Sequence, residues 1–238
     1  TAQGSLGKAL ITSCLSSASK QGTIGCPFDS SFSEPNQTDC SATTRSYPFR
    51  EPVGKYTHVL RHLLSSCECE NLINVAEQVG FQRHRSNTRD QLLFQCKSLS
   101  QELTSRLRLL LPSVLQGRNG EDDHSWTLRG LSDVWRLTRY AGPGDNLAKH
   151  FDEVKVVSPS CCSVFTLTVY LNTVALDQGG RTHFDTNGST SDVKISSLQP
   201  VVGDALLLDH GVLHSGERLD NGVKYILRTE LLYISDNS

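Results

Sequence analysis

The rhythm of apolar and polar positions changes twice along this chain. Residues 1 to about 50 are rich in Ser, Thr, Gly and Gln with weak periodicity, which predicts an irregular arm holding at most one short helix. From Tyr56 the texture becomes helical. In "CENLINVAEQVGF", Leu72, Ile73, Ala76 and Val79 recur at helical spacing and Gly80 supplies a stop. "DQLLFQCKSLSQELTSRLRLLLP" predicts a second helix of about five turns, closed by Pro112. "GLSDVWRLTRY" follows without a decisive period.

After Asp152 the period becomes two. In "SVFTLTVYLN", Phe165, Leu167, Val169 and Leu171 face one way, and Thr166, Thr168, Tyr170 and Asn172 the other. "GDALLLDHGVLHSGERL" and "VKYILRTELLY" continue in strands, with Gly- and Asn-based turns between them. Helices first and strands after is the order of an α+β domain whose N-terminal helices brace one face of a β barrel or double sheet. The division this implies is an arm over residues 1–50 and one folded domain over 51–238.

Composition narrows the classes. A hydrophobic fraction of 37%, a charged fraction of 20% and a net charge of -2 describe an ordinary, rather polar globular chain. That balance argues against electrostatic nucleic-acid binding, which needs a basic surface. No apolar run approaches the ~20 residues of a membrane span. A chain that begins at Thr1 and contains no methionine reads as a processed form or a fragment. Its compartment is therefore left open, with the cytoplasm favoured. Of the eight cysteines, the Cys67-x-Cys69 and Cys161-Cys162 pairs lack CxxC spacing and read as thiols rather than a structural zinc site, and disulfide bonding is left open.

The candidate chemistry lies in a repeated triplet. "LAKHFD" places His150 and Asp152 two apart, and "RTHFD" does the same with His183 and Asp185. On an extended segment such a pair puts an imidazole and a carboxylate on one face. That is two-thirds of the two-histidine, one-carboxylate set that holds ferrous iron. A second histidine could come from His210 or His214. Beyond them, Lys224 and Arg228 alternate along the last strand as candidate cations for a buried carboxylate.

With these motifs in order, the chain resembles the iron(II)- and 2-oxoglutarate-dependent dioxygenases, in particular the prolyl-4-hydroxylase-like catalytic domain. The resemblance runs from about His58 to Tyr233. It rests on "RYAGPGDNLAKHFD", "TVYLNTVALDQGGRTHFD" and "GDALLLDHGVLHSGERLDNGVKYILRTELLY". The family's register of His-x-Asp, distal His and a basic residue about ten further on fits His150, Asp152, His214 and Lys224. In that register Gly179, Gly180, Thr182 and Phe184 are structural, His183 is incidental, and His210 is a core or supporting histidine.

The resemblance implies a double-stranded β-helix, a jelly-roll or cupin-like barrel. It implies iron(II) as the metal, 2-oxoglutarate as co-substrate, O2 as oxidant and ascorbate as an accessory reductant. The metal ligands would be His150, Asp152 and His214, with no catalytic group beyond them. Lys224 would bind the far carboxylate of 2-oxoglutarate, with Tyr140 and Tyr170 beside it. Arg228 would share that carboxylate or meet substrate. The implied activity is hydroxylation of a C–H bond on a protein or peptide. The alternatives are a small-molecule hydroxylase and a non-catalytic module that keeps the barrel. Loops around residues 113–130 and 153–162 would frame the entrance.

One register expectation follows from the turn chemistry. "LDNGVK" predicts a hairpin with Gly222 at positive φ, a G1 bulge, and Arg228 across from His214, so that Lys224 and the metal ligand share a face. Pairing of His214 with Thr229 would turn Lys224 away.

Overall fold

Helix α1, Ser66–Val79, begins where its sequence can satisfy its own first turn. Ser65 Oγ accepts the Glu68 backbone N–H at 3.2 Å, and the Glu68 carboxylate accepts the Ser65 N–H at 2.7 Å. Its buried stripe is Cys69, Leu72 and Ala76, and Gly80 at φ 93 ends it. These coordinates come from a computed structural model that describes residues 49–52, 57–86, 88–116, 125–185 and 195–235. Most of the predicted N-terminal arm lies outside the described residues.

The second predicted helix is shorter than expected. Helix α2 covers only Lys97–Leu107, burying Leu99, Leu103 and Leu107. The preceding "DQLLFQ" is a strand instead, with Leu92 and Phe94 buried in alternation. A short apolar run fits either period, and pairing with a neighbouring strand decided this one.

In chain order the strands are β1 Phe49–Pro52, β2 His58–Arg61, β3 Gln82–Arg83, β4 Asp90–Gln95, β5 Val114–Gln116, β6 Ser125–Leu131 and β7 Val134–Tyr140. There follow β8 Leu147–His150, β9 Val156–Ser158, β10 Cys161–Tyr170, β11 Thr182–Phe184 and β12 Ser197–Leu198. The last are β13 Ala205–Asp209, β14 His214–Gly216 and β15 Lys224–Ser235. "GLSDVWRLTRY" thus supplies the end of β6 and all of β7.

An eleven-stranded sheet has the main order β1-β2-β13-β10-β15-β7-β4-β3, with β5, β6 and β9 attached at its sides. A four-stranded sheet runs β12-β11-β14-β8. The large sheet sorts its residues by the predicted period of two. Phe165, Leu167 and Val169 of β10, Trp135 and Leu137 of β7, and Leu227 and Leu231 of β15 pack in one core with the buried stripes of both helices. The opposite face gives Tyr140, Tyr170, Ile226 and Leu206, which pack against Phe184 and Leu198 of the small sheet. The architecture is a double-stranded β-helix with two helices on the outer face of its larger sheet.

The predicted hairpin does not form. Strand β14 pairs with β11 and β8, whereas β15 pairs with β10, β7 and β6. His214 is therefore opposite neither Arg228 nor Thr229. Gly222 does adopt positive φ, at 78, but its turn carries the chain from one sheet to the other. Local turn chemistry set the backbone bend, and the jelly-roll crossing set the partners.

Among the described cysteines, Cys67, Cys69, Cys161 and Cys162 keep their thiols. Cys96 is disulfide-bonded, a question the sequence leaves open. The spacing of the cysteines carries no signal for that bond.

The helix-side core predicts a contrast between two leucines of one segment. Leu103 is 0% exposed and Leu109 is 96% exposed. Leu103→Ala should cost about 2–5 kcal/mol in denaturant unfolding, while Leu109→Ala should change stability by less than about 0.5 kcal/mol.

Candidate metal centre and its cavity

Two strands of the small sheet bring the candidate ligands together. His150 of β8 pairs directly with His214 of β14, so the two imidazoles share a face. Their ring centroids are 4.3 Å apart. Asp152, two residues beyond His150, keeps that face. Its Oδ1 is 3.5 Å from His150 Nε2 and its Oδ2 is 4.0 Å from His214 Nε2. Among the described residues this is the one group of three whose ligand atoms gather tightly enough to hold a metal ion, all within 4.8 Å.

The backbone fixes which ring nitrogens are offered. His150 Nδ1 lies 2.8 Å from the carbonyl oxygen of Ala148, and His214 Nδ1 lies 2.9 Å from that of Val212. A carbonyl can only accept, so each Nδ1 carries its proton there. Each Nε2 is left as a lone pair facing Asp152. Burial lowers the His214 pKa from its ordinary value, which favours the neutral ligand form.

Asp152 is buried, which by itself would raise its pKa. The charge of Arg228 and the hydrogen bond from Thr166 work against that, and the carboxyl is held well below the usual range. Arg228 Nη2 donates to Oδ1 at 2.5 Å, and Thr166 Oγ1 donates to Oδ2 at 2.6 Å. Both donors come from the large sheet, so the carboxylate bridges the two sheets.

The second His-x-Asp copy is not part of this group. Phe184 pairs with His214 and faces inward, so its neighbour His183 faces out. His183 Nε2 lies 3.5 Å from Glu217, and Asp185 pairs with Lys149 at 3.0 Å. His210 is buried at the end of β13, outside the ligand group.

Lys224 sits at the other end of the inner face, 5% exposed. Its Nζ donates to the Gly180 carbonyl at 2.6 Å and lies 5.5 Å and 5.8 Å from the ring centres of Tyr140 and Tyr170. Among the described residues no carboxylate forms an ion pair with it. Burial pulls its pKa down to about 8. Gly179 and Gly180, at φ 73 and 70, make the turn that presents this carbonyl. A Cβ on Gly179 would stand 2.4 Å from the Arg218 carbonyl oxygen, so glycine is required there. Tyr170 spends its hydroxyl on Thr182, at 2.9 Å. Burial pushes the Tyr140 hydroxyl up to about 12.

A cavity of about 310 Å³ opens beside His150 and Asp152, lined also by Tyr140, Ile226 and Arg228 among others, with Lys224 outside its lining. Of the two loops expected at the entrance, the later one contributes Glu153 and Lys155, whereas no described residue of 113–130 lines the cavity. Sequence reasoning missed Thr166 and Arg136. Their signal was the polar face of β10 and β7, where every second residue is polar although both strands are central.

The fold has counterparts among solved structures. No family model and no curated protein matches the chain. The viral collagen prolyl hydroxylase of Paramecium bursaria Chlorella virus-1, solved with 2-oxoglutarate, is similar over 76% of this chain and 97% of its own. Its sequence identity is 22% and the TM-score is 0.51. The prolyl hydroxylase of Trichoplax adhaerens, solved with a hypoxia-inducible-factor peptide, is similar over 74% of this chain and 83% of its own, with 18% identity and a TM-score of 0.51. The chain has the fold of these prolyl hydroxylases. In that prolyl-hydroxylase fold, the ligand group lies where the small sheet faces the large one, with Lys224 deeper in the same interior.

An unpaired buried ammonium predicts a measurable cost. The folded pKa of Lys224 lies below its ordinary value of 10.5, so the folded state binds fewer protons than the unfolded state between pH 8 and 10.5. Stability contributed by this group therefore rises with pH through that window and is lowest below it. Lys224→Met should raise stability at pH 7 by about 1–3 kcal/mol. The gain should shrink toward pH 10.5 in paired denaturant titrations.

Proposed function

We propose that residues 51–238 form an iron(II)- and 2-oxoglutarate-dependent dioxygenase domain that hydroxylates a C–H bond, with a protein or peptide as substrate. The observation that carries this reading is the pairing of two features in one interior. Two imidazoles with Nδ1 tied to carbonyls converge with a carboxylate, and a buried lysine without an ion-pair partner stands nearby. A metal-binding module without co-substrate would leave that lysine an uncompensated cost.

The donor set suits iron(II): two neutral imidazole nitrogens and one ionised carboxylate on one side, with the cavity on the other. His150, Asp152 and His214 would hold the metal. Lys224 would bind the far carboxylate of 2-oxoglutarate through a charge-assisted hydrogen bond. Tyr140, which lines the cavity, would flank it, and Tyr170 would shape the pocket through Thr182. Iron with 2-oxoglutarate and O2 supplies the oxidising power for C–H hydroxylation, with ascorbate as a reductant that restores iron(II).

The chain's own residues do the placing. Arg228 and Thr166 keep Asp152 ionised and fix its plane, which leaves Arg228 on the metal side rather than beside Lys224. Tyr140, Ile226 and Leu147 line the cavity with apolar surface that excludes water from the reacting carbon. A peptide substrate is supported by the exposed Phe151, Val154, Val156 and Val157 around the entrance. Both fold neighbours described above are prolyl hydroxylases, one of them solved with a peptide. Among the described residues no helix is long and apolar enough to cross a membrane.

Succinate release from 2-oxoglutarate with added iron(II) tests the class even without a known substrate. His214→Ala should abolish it and also abolish metal binding by calorimetry, whereas His183→Ala should keep most of both. Equal loss in the two variants would sink the ligand assignment. Lys224→Ala should weaken 2-oxoglutarate binding by about 2–4 kcal/mol while leaving metal affinity in place. The reverse pattern would remove Lys224 from the co-substrate site.

A further inference from the structure

The inner face of β7 and β15 carries more cation than the ligand group and co-substrate use. Arg136 pairs directly with Arg228, as Thr138 does with Ile226 and Tyr140 with Lys224. Like charges placed opposite each other on neighbouring strands repel. Arg228 relieves its share on Asp152, and Lys155 pairs with Glu230 at 2.7 Å. Arg136 has no such outlet. Among the described residues no carboxylate forms an ion pair with it, and its Nε is buried without a hydrogen-bond partner. Among the described residues, the side chain of Arg89, lining the same cavity, donates only to the hydroxyls of Ser86 and Thr88.

We propose that Arg136, flanked by Arg89, forms a monoanion subsite that receives a carboxylate of the molecule to be hydroxylated. The proposal rests on the dioxygenase reading for the word hydroxylated, but not for the subsite. The cavity lining counts four cations, Arg89, Arg136, Lys155 and Arg228, against three carboxylates, Asp152, Glu153 and Glu230. The excess is one charge (4 − 3). Iron(II) and the dianion of 2-oxoglutarate would add no net charge to that balance. One uncompensated guanidinium matches a carboxylate, whose two oxygens fit its fork. A phosphate dianion would bring a second negative charge among three carboxylates.

The position also restricts the substrate. Arg136 lies four positions before Tyr140, about 13 Å along the strand at ~3.3 Å per residue. The subsite is therefore separated from Lys224 and level with Arg228, which touches Asp152. An acid bound there would hold a carbon only a few bonds away against the ligand group. Among peptides, this selects for an acidic side chain or a free C-terminus next to the modified residue.

The test uses thermal unfolding of the full chain without iron or 2-oxoglutarate, so its failure is separate from failure of the dioxygenase reading. The probes are benzoate, benzamide and phenyl phosphate. The proteins are wild type, Arg136→Gln and Lys224→Met. Without probe, Arg136→Gln should melt no lower than wild type, because it removes repulsion and breaks no ion pair. Benzoate should raise the wild-type melting temperature and benzamide should not, since only a ligand of the folded state stabilises it. The benzoate shift should vanish in Arg136→Gln and persist in Lys224→Met. A lower melting temperature for Arg136→Gln would make Arg136 structural and overturn the proposal. So would a benzoate shift that is absent from wild type, survives in Arg136→Gln, disappears in Lys224→Met, or is exceeded by that of phenyl phosphate. A blocked Ala-Pro-Asp peptide, compared with its Ala-Pro-Asn counterpart, then tells an acidic peptide from a small acid by whether it outperforms benzoate.

Discussion

The large sheet must satisfy two different environments with the same strands. Each of β4, β7, β10 and β15 sends alternate side chains to a dry core under the helices and to a polar interior under the small sheet. The period of two makes this separation absolute, because a slip of one residue would exchange every side chain between the two environments. Trp135 and Leu137 hold β7 in register from one side, which is what aims Arg136, Thr138 and Tyr140 at the other. Leu227 and Leu231 do the same for Lys224, Arg228 and Glu230. The helices matter to the chemistry only through this: they supply the apolar surface that makes the register costly to change.

The small sheet carries the two histidines of the candidate ligand group, His150 on β8 and His214 on β14, with Asp152 just past the end of β8. Its hold on the large sheet is partly polar, through the Asp152 carboxylate bound by Arg228 and Thr166, the Tyr170–Thr182 hydroxyl pair, and Lys224 on the Gly180 carbonyl. These bonds join the faces that a bound metal and co-substrate would share. The groups that close the barrel are therefore the same ones that shape the site.

Charge distribution in the interior works against stability and for binding. A buried ammonium at Lys224 and a guanidinium pair at Arg136 and Arg228 are unfavourable in the bare protein. Sites that wait for anionic ligands have this character, since ligand binding removes a repulsion already present in the folded state. The cost is borne by the two core clusters, to which the capped helix α1 and the buried stripe of α2 both contribute.

The sequence by itself determined a good part of this protein. Helix α1 was legible from its spacing and its Gly80 stop, and strand β10 from its clean alternation. Those signals are local, because a single segment's period reports which of its faces is apolar. The candidate ligand group was legible as far as His-x-Asp geometry reaches, and the family resemblance preferred His150 and Asp152 to His183 and Asp185. The tertiary structure decided what depends on partners distant in the chain. It made "DQLLFQ" a strand, because an apolar run too short to show its period takes the conformation of its neighbours. It sent β14 and β15 to different sheets, because a turn residue such as Gly222 fixes a bend and not the strand that waits beyond it. And it set Arg136 beside Arg228, a meeting of two residues more than ninety positions apart in the chain that no local pattern encodes.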